Sequence, residues 1–202
     1  MTEHEVLAIS IDENGFEVDD QGFNFHNISP SVLDSTYSFN LNGNYILCIG
    51  KSLYQYSEKK KMWSKLPHEM PHNRIGAACL SFGNKVIIFG GCIDGTITST
   101  IDVVHEDFTI NRALDILPFP IKYHTVTKIS EDEFILCGGQ NAIGHHMNDV
   151  YYGQVAAGGS FYLTSEQDWN INWAKLKPLN TARSKHVAFY IRNRLVVLGD
   201  EN

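Results

Sequence analysis

Four short apolar segments of this chain align without gaps, and this repetition constrains the fold more than any other feature of the sequence. We take the penultimate residue of each segment as its anchor. A large apolar residue stands four positions before every anchor, and a residue that tolerates tight turns stands six positions before it. Agreement at separate offsets predicts a repeated structural unit. The segments are 44–50, 85–91, 133–139 and 194–200, with anchors Ile49, Gly90, Gly138 and Gly199.

A basic residue and a closing motif extend each repeat to about 40–50 residues. Arg74, Lys122 and Arg183 stand sixteen residues before the last three anchors. Each complete unit closes with a tryptophan or leucine, a leucine three residues later, and then a proline, which ends a strand. Four short strands per unit, with no helical period, are typical of a β-propeller blade, and we name them a to d in chain order.

The repeat resembles the kelch family from about residue 30 to the end of the chain. The resemblance lies in the glycine pairs of IIFGG and ILCGG, in Asn-Asp-Val-Tyr at 148–151, and in Trp-x-x-Leu at 63–66 and 173–176. It implies an all-β fold, a kelch-type β-propeller that forms one domain over residues 1–202. The predicted blades are 31–67, 74–118 and 122–178.

Two half blades flank the three complete units. Residues 6–20 alternate around an Asn-Gly turn and predict a hairpin, while 183–202 supply only strands a and b of a fourth blade. If 6–20 forms the outer hairpin of the closing blade and 183–202 its inner hairpin, the chain forms a small four-bladed ring. Otherwise it is a partial propeller with unpaired strand edges.

Composition excludes several classes of partner. The chain has 202 residues, 16 Lys plus Arg against 23 Asp plus Glu, and a net charge of -7, so we expect no nucleic-acid partner. No apolar run approaches the roughly 20 residues of a membrane-spanning helix. The start of the sequence lacks the pattern of a secretory signal, and we expect a cytoplasmic protein.

The predicted binding surface lies on the loops from strand b to strand c and from strand d to the next strand a, because these loops emerge on one face. The three repeated basic residues are expected to ring the mouth of the central channel and to bind an acidic peptide or a carboxylate. The alternative is that each bonds backbone carbonyls of neighbouring blades. The predicted partner-binding residues are Arg74, Lys122, Arg183, His72, Tyr123, Asn141 and His146.

No catalytic residue, metal ion or cofactor is predicted. Adjacent His145 and His146 would point to opposite faces of a strand, so we interpret them as loop residues and not as metal ligands. The position just before each anchor is interpreted as a core position, which makes a catalytic thiol there improbable. It holds Cys48, Phe89, Cys137 and Leu198.

The predicted function is therefore that of a non-catalytic protein-interaction module or scaffold. The kelch resemblance implies a protein or acidic-peptide partner, with any ubiquitin-ligase or cytoskeletal role supplied by a separate chain. Two alternatives remain open: a kelch-like propeller enzyme acting on a sugar, of the oxidase or mutarotase type, and a truncated fragment without independent function.

Overall fold

The computed structural model describes residues 5–12, 15–24, 34–155 and 171–199. Every regular element in these residues is a β-strand, and the sheets are antiparallel. Residues 31–33, 156–170 and 200–202 of the predicted blades lie outside the described residues. The prediction of an all-β, propeller-like fold is confirmed.

Three four-stranded sheets form the blades, and in each the strands follow one another in chain order. Blade one contains β3 (Thr36–Leu41), β4 (Asn44–Ile49), β5 (Ser52–Ser57) and β6 (Met62–Glu69). Blade two contains β7 (Ala78–Phe82), β8 (Lys85–Phe89), β11 (Thr100–Val104) and β12 (Ile110–Ile116), with a small hairpin of β9 (Cys92–Ile93) and β10 (Thr96–Ile97) between β8 and β11. Blade three contains β13 (Thr125–Lys128), β14 (Glu133–Cys137), β15 (Val150–Val155) and β16 (Ile171–Lys175).

Two further hairpins flank the blades. The first pairs β1 (Glu5–Asp12) with β2 (Gly15–Asn24), and the terminal hairpin pairs β17 (Val187–Ile191) with β18 (Arg194–Leu198). Each is a separate two-stranded sheet, and β2 lies against β6 of blade one. The four-bladed ring is therefore not formed by the described strands. β3 contacts β7, β7 contacts β13, and β13 contacts β17, so the inner strands follow one another in an arc.

Local sequence explains the strands and their turns. Asn42 and Gly43 both adopt left-handed backbone angles, with φ of 51° and 81°, and make the two-residue turn that matches the twist of an antiparallel hairpin. In blade two all five residues of β8 are buried. A strand with neighbours on both faces needs apolar side chains on both, which accounts for the continuous apolar run VIIF that follows Lys85.

The core lies between the blades. Phe134 of blade three meets Phe89 of blade two at a ring-centroid distance of 5.3 Å, and Trp173 packs edge-on against Phe134 at 5.4 Å. Phe89 and Phe134 are fully buried. Truncation of such a phenylalanine to alanine costs about 3–5 kcal/mol, so the aromatic contacts between blades are a major part of the stability.

The glycine pairs let each blade begin directly against the preceding one. A Cβ on Gly90 would lie 2.5 Å from the carbonyl oxygen of Ile121, the residue that leads into blade three. The amide of Gly91 donates to that same carbonyl at 2.7 Å. Only glycine permits this approach together with a φ of +57° at Gly90. The contact places the residues that follow Ile121 at the inner rim of the arc.

Candidate functional site

A cavity of about 200 Å³ opens at the inner rim, where the four innermost strands begin. We call the residues that line it the mouth. Two of these lining residues come from each innermost strand. They lie in the segment that leads into the strand or at the first residue of the strand. The mouth consists of Asp34, Thr36, Gly76, Ala77, Tyr123, His124, Lys185 and His186.

Backbone hydrogen bonds join the four strand entries into one framework. The amide of Gly76 donates to the carbonyl of Asp34 at 2.8 Å, and the amide of Tyr123 donates to the carbonyl of Gly76 at 2.7 Å. The amide of Lys185 then donates to the carbonyl of Tyr123 at 2.9 Å. Each blade thus fixes the entry of the next, which positions the side chains of the mouth before any ligand binds.

Tyr123 and Lys185 adopt left-handed backbone angles that are uncommon for residues with a side chain, with φ of 56° and 53°. Such angles cost of order 1–3 kcal/mol each and are concentrated at functional sites. The phenol of Tyr123 donates to Oδ2 of Asp34 at 2.9 Å. The strained entries therefore bring three side chains from different blades to one point, because Nζ of Lys185 also lies 3.4 Å from Oδ1 of Asp34.

Two ammonium groups flank the ring of Tyr123. Nζ of Lys185 lies 4.6 Å from the ring centroid and Nζ of Lys122 lies 5.0 Å from it, both within the range of a cation–π interaction. Lys185 is in the lining of the mouth together with the carboxylate of Asp34, whereas Lys122 lies next to Tyr123 outside the lining. The Lys185 and Asp34 side chains are 50% and 42% exposed, so water weakens their ion pair and Lys185 remains able to exchange partners.

Tyr123 keeps its proton throughout the physiological range. Burial, the hydrogen bond to Asp34 and the negative charge of Asp34 together raise its pKa to about 12. A neutral phenol donates one hydrogen bond, which Asp34 accepts. The hydrogen bond from Tyr123 therefore orients the carboxyl group of Asp34 in the mouth.

Two buried histidines line the mouth without adding charge. Burial and the proximity of His186 lower the pKa of His124 to about 3, and burial and the charge of Arg183 lower the pKa of His186 to about 4. His186 uses Nε2 in a 2.9 Å contact with Oγ1 of Thr125 in blade three. Both ring nitrogens of His124 are buried without a hydrogen-bond partner among the described residues. At neutral pH both imidazoles are uncharged.

Arg74, predicted to face a ligand, lies inside blade two with 1% of its surface exposed. Its Nη1 donates to the carbonyl of Gly90 at 2.6 Å, and its Nη2 donates to Oγ1 of Thr100 and to the carboxylate of Asp102. All of these partners belong to the same blade. The expectation of an exposed Arg74 is therefore corrected: its charge is neutralised internally, and it joins strands of its own blade, not of a neighbouring one.

Arg183 repeats the first of these contacts. Its Nη1 donates to the carbonyl of Gly199 at 2.8 Å, across the same sixteen residues that separate Arg74 from Gly90. The shared bond gives the repeated arginine a structural role at the anchor glycine. Of the three predicted basic residues, only Lys122 directs its charge to Tyr123. Of the three basic residues expected to ring the mouth, none is in the lining: Lys122 lies next to Tyr123, and the basic residue of the lining is Lys185.

Asn141, His146 and His72, the other predicted residues, are not in the lining of the mouth. Oδ1 of Asn141 accepts from the amides of Ile143 and His145 at 3.1 and 2.9 Å, so Asn141 shapes its own loop. His146 is half-buried and pairs through its backbone with Gln140. His72 is half-buried in the segment between β6 and β7. Tyr123 is the one predicted residue that lines the cavity.

Asp34 and Lys185 are functional candidates that the sequence reasoning missed. Asp34 stands fifteen residues before its anchor, as Tyr123 does before its own, and Lys185 stands fourteen before Gly199, as Gly76 does before Gly90. Comparison of the positions just after the basic residue would have selected these side chains. The prediction followed the charged residues that stand sixteen positions before the anchors, and it therefore selected the structural arginines instead.

Within the described residues, no group of three His, Cys, Asp or Glu side chains is placed to hold a metal ion. Among the described elements there is no helix with the length and apolar character that crossing a membrane requires.

The fold defines a propeller-like protein. Its sheets contain strands that follow one another in chain order, and its core lies between these sheets. Its backbone is similar to that of YjhT, with a TM-score of 0.70 at 13% sequence identity. The match covers 96% of this chain, and the chain spans 65% of the length of YjhT. At this identity the likeness shows the fold alone. No protein-family model matches the sequence, and no curated protein matches it.

Proposed function

We propose that this chain is a non-catalytic, kelch-like binding module that takes an acidic segment of a protein partner at the mouth. The observation that carries the proposal is the convergence of Lys122 and Lys185 on the ring of Tyr123. A ligand carboxylate in the mouth would pair with Lys185 and be attracted by the nearby charge of Lys122. Charge-assisted hydrogen bonds of this kind are about twice as strong as neutral ones.

Binding follows from an exchange of partners. In the free protein Asp34 accepts from Tyr123 and pairs with Lys185. An incoming carboxylate competes with Asp34 for Lys185, while the phenol stays on Asp34 and keeps the site in place. The backbone bonds between strand entries already fix the mouth, so little conformational entropy is lost on binding.

Fluorescence anisotropy with a labelled hexaglutamate peptide tests the proposal, with hexaglutamine as the uncharged comparison. Hexaglutamate should bind the native protein, and Lys122→Gln and Lys185→Gln should each weaken binding by up to about fivefold, the range of an exposed ion pair. Lys175→Gln is the matched control, because this exposed lysine pairs with Asp149 in blade three. Equal binding of the two peptides, or equal losses in all three variants, would sink the proposal.

A second candidate function is supported by the polar lining of the cavity. A phenol, a carboxylate and an ammonium group meet within hydrogen-bond distance there, and sugar hydroxyls are suitable partners for all three. An enzyme acting on a sugar, of the mutarotase type, would accelerate the exchange of the anomers of a reducing sugar. Proton NMR of freshly dissolved sugars distinguishes this function: acceleration that Asp34→Asn abolishes would favour it, and an unchanged rate would exclude it for the sugars used.

A further inference from the structure

The loop between β14 and β15 carries the most exposed large apolar side chain of the described residues. Ile143, at the tip of this loop, is 75% exposed, and no other large apolar residue in the described ranges exceeds 63%. The neighbouring Ala142 is exposed as well. A single exposed apolar residue is ordinary on a protein surface. The function of Ile143 follows instead from how the loop is held and where it is attached.

Hydrogen bonds within the loop fix the position of Ile143. Oδ1 of Asn141 accepts from the amides of Ile143 and His145, and the amide of Asn141 donates to the carbonyl of His145 at 3.0 Å. The amide of Gly144 donates to the carbonyl of Asn141 at 3.1 Å. Gln140 closes the loop, because its Nε2 donates to the carbonyl of Gly144 at 2.9 Å. Since the loop is already ordered, contact of a partner with Ile143 costs little conformational entropy.

The base of the loop is attached beside the mouth. The amide of Lys122 donates to the carbonyl of Gln140 at 3.1 Å, and the amide of Gln140 donates to the carbonyl of Lys122 at 2.7 Å. Gln140 also pairs with His146 on the returning arm of the loop. Lys122 is the residue whose ammonium group lies 5.0 Å from the centroid of the Tyr123 ring. The loop therefore begins at the edge of the proposed binding site.

The length of the chain limits the distance from Ile143 to this edge. Backbone pairing places the Cα atoms of Lys122 and Gln140 about 5 Å apart. The three residues from Gln140 to Ile143 span at most about 11 Å. The Cα atoms of Lys122 and Ile143 are therefore within about 16 Å, which an extended peptide covers in about five residues. One short segment of a partner can reach both residues.

The loop adds apolar contact and no charge to the binding face. Residues 140–147 contain no lysine, arginine, aspartate or glutamate. A positive site alone accepts any acidic segment, whereas an apolar contact beside it selects among such segments. Resting on the proposed function, we propose that the acidic segment bound at the mouth carries a large apolar side chain about five residues from its carboxylate, and that this side chain packs on Ile143.

Fluorescence anisotropy with two labelled peptides of equal charge tests this inference. The first peptide is Leu-Gly-Gly-Gly-Glu-Glu-Glu-Gly-Gly-Gly-Leu, which offers a leucine on either side of the carboxylates and so fits either direction of binding. The second peptide has serine in place of both leucines. The native protein should bind the leucine peptide about fivefold more tightly than the serine peptide, as expected for partial burial of one leucine.

Variants at the tip of the loop show whether Ile143 is responsible. Ile143→Ser should bind the leucine peptide no more tightly than the serine peptide, with unchanged affinity for the serine peptide. Ile143→Leu should keep the fivefold preference of the native protein. Ile116→Ser is the matched control and should also keep this preference, because Ile116 is 55% exposed but lies on the outer strand of blade two.

The two peptides separate this inference from the proposed function. Equal binding of both peptides to the native protein, or an undiminished preference in Ile143→Ser, would overturn the contact with Ile143 and leave binding of carboxylates at the mouth in place. An equal loss of preference in Ile116→Ser would overturn it as well. Absence of binding of either peptide would contradict the proposed function and this inference together.

Discussion

Arg74 and Asp102 form an ion pair inside blade two, with side-chain exposures of 1% and 4%. The pair links the segment before β7 to β11, the third strand of the blade. Asp102 also accepts from Nε of Arg112 at 3.2 Å, and Arg112 is 51% exposed. One buried carboxylate is thus shared by a buried and an exposed arginine.

Replacement of Arg74 should destabilise the fold severely. Arg74→Ala leaves the Asp102 carboxylate buried with only a partly hydrated partner, and breaking a buried pair costs about 3–5 kcal/mol. Arg112→Ala removes an exposed contact to the same carboxylate and should cost less than about 1 kcal/mol. Urea denaturation followed by tryptophan fluorescence measures both losses. Equal effects of the two substitutions would contradict the structural role of Arg74.

Acid should destabilise the protein through His124. The folded state holds the pKa of this residue at about 3, below the value near 6.5 of an unfolded chain. The unfolded state therefore binds the proton first, and the free energy of unfolding falls as the pH drops from 7. Between pH 7 and pH 5 this one group should account for a loss of about 2 kcal/mol.

His124→Gln has no imidazole at this position. Its loss of stability between pH 7 and pH 5 should therefore be smaller than that of the native protein by about 2 kcal/mol, as measured by urea titrations at the two pH values. His145→Gln, a substitution in an exposed loop, should show the full loss of the native protein. If His124→Gln and the native protein lose the same stability, the imidazole of His124 is not held neutral by the fold.

The thiols of Cys48 and Cys79 should resist alkylation in the folded protein. Burial raises the pKa of Cys48 to about 11 and that of Cys79 to about 12. The reactive thiolate is then scarce at pH 8, and reaction with iodoacetamide should be slower than for free cysteine by about a hundredfold at Cys48 and about a thousandfold at Cys79. Mass spectrometry after timed labelling, with a sample in urea as the reference, identifies the labelled residues. Rapid labelling of either thiol without urea would contradict the burial.

The fold could be predicted from the sequence because equivalent positions of the repeat are buried in equivalent packing environments. The core assignment of the position before the anchor holds for Cys48, Phe89 and Cys137. It is wrong for Leu198, since burial there depends on a neighbouring sheet that the described residues do not supply. Closure of the arc could not be predicted for the same reason: whether two hairpins pair depends on their placement in space, and their local patterns are satisfied either way.

Only some residues of the mouth could be predicted from the sequence. The repeated basic position pointed to the rim where the cavity opens and to Lys122 and Tyr123, but it did not distinguish an arginine bonded to an anchor carbonyl from a lysine directed to the ring of Tyr123. The partner of Arg74 is Asp102, and it stands 28 residues further along the chain with no repeated spacing to reveal it. Asp34 and Lys185 meet only because three strand entries converge.

In the proposed binding, Asp34 and a ligand carboxylate compete for Lys185. The most direct measurement is hexaglutamate affinity for Asp34→Asn beside that for Lys185→Gln, by fluorescence anisotropy at fixed salt. Asp34→Asn releases Lys185 and removes a repelling charge, so binding should tighten about threefold, while Lys185→Gln should weaken it by a similar factor. Weaker or unchanged binding by Asp34→Asn would contradict the exchange of partners at the mouth.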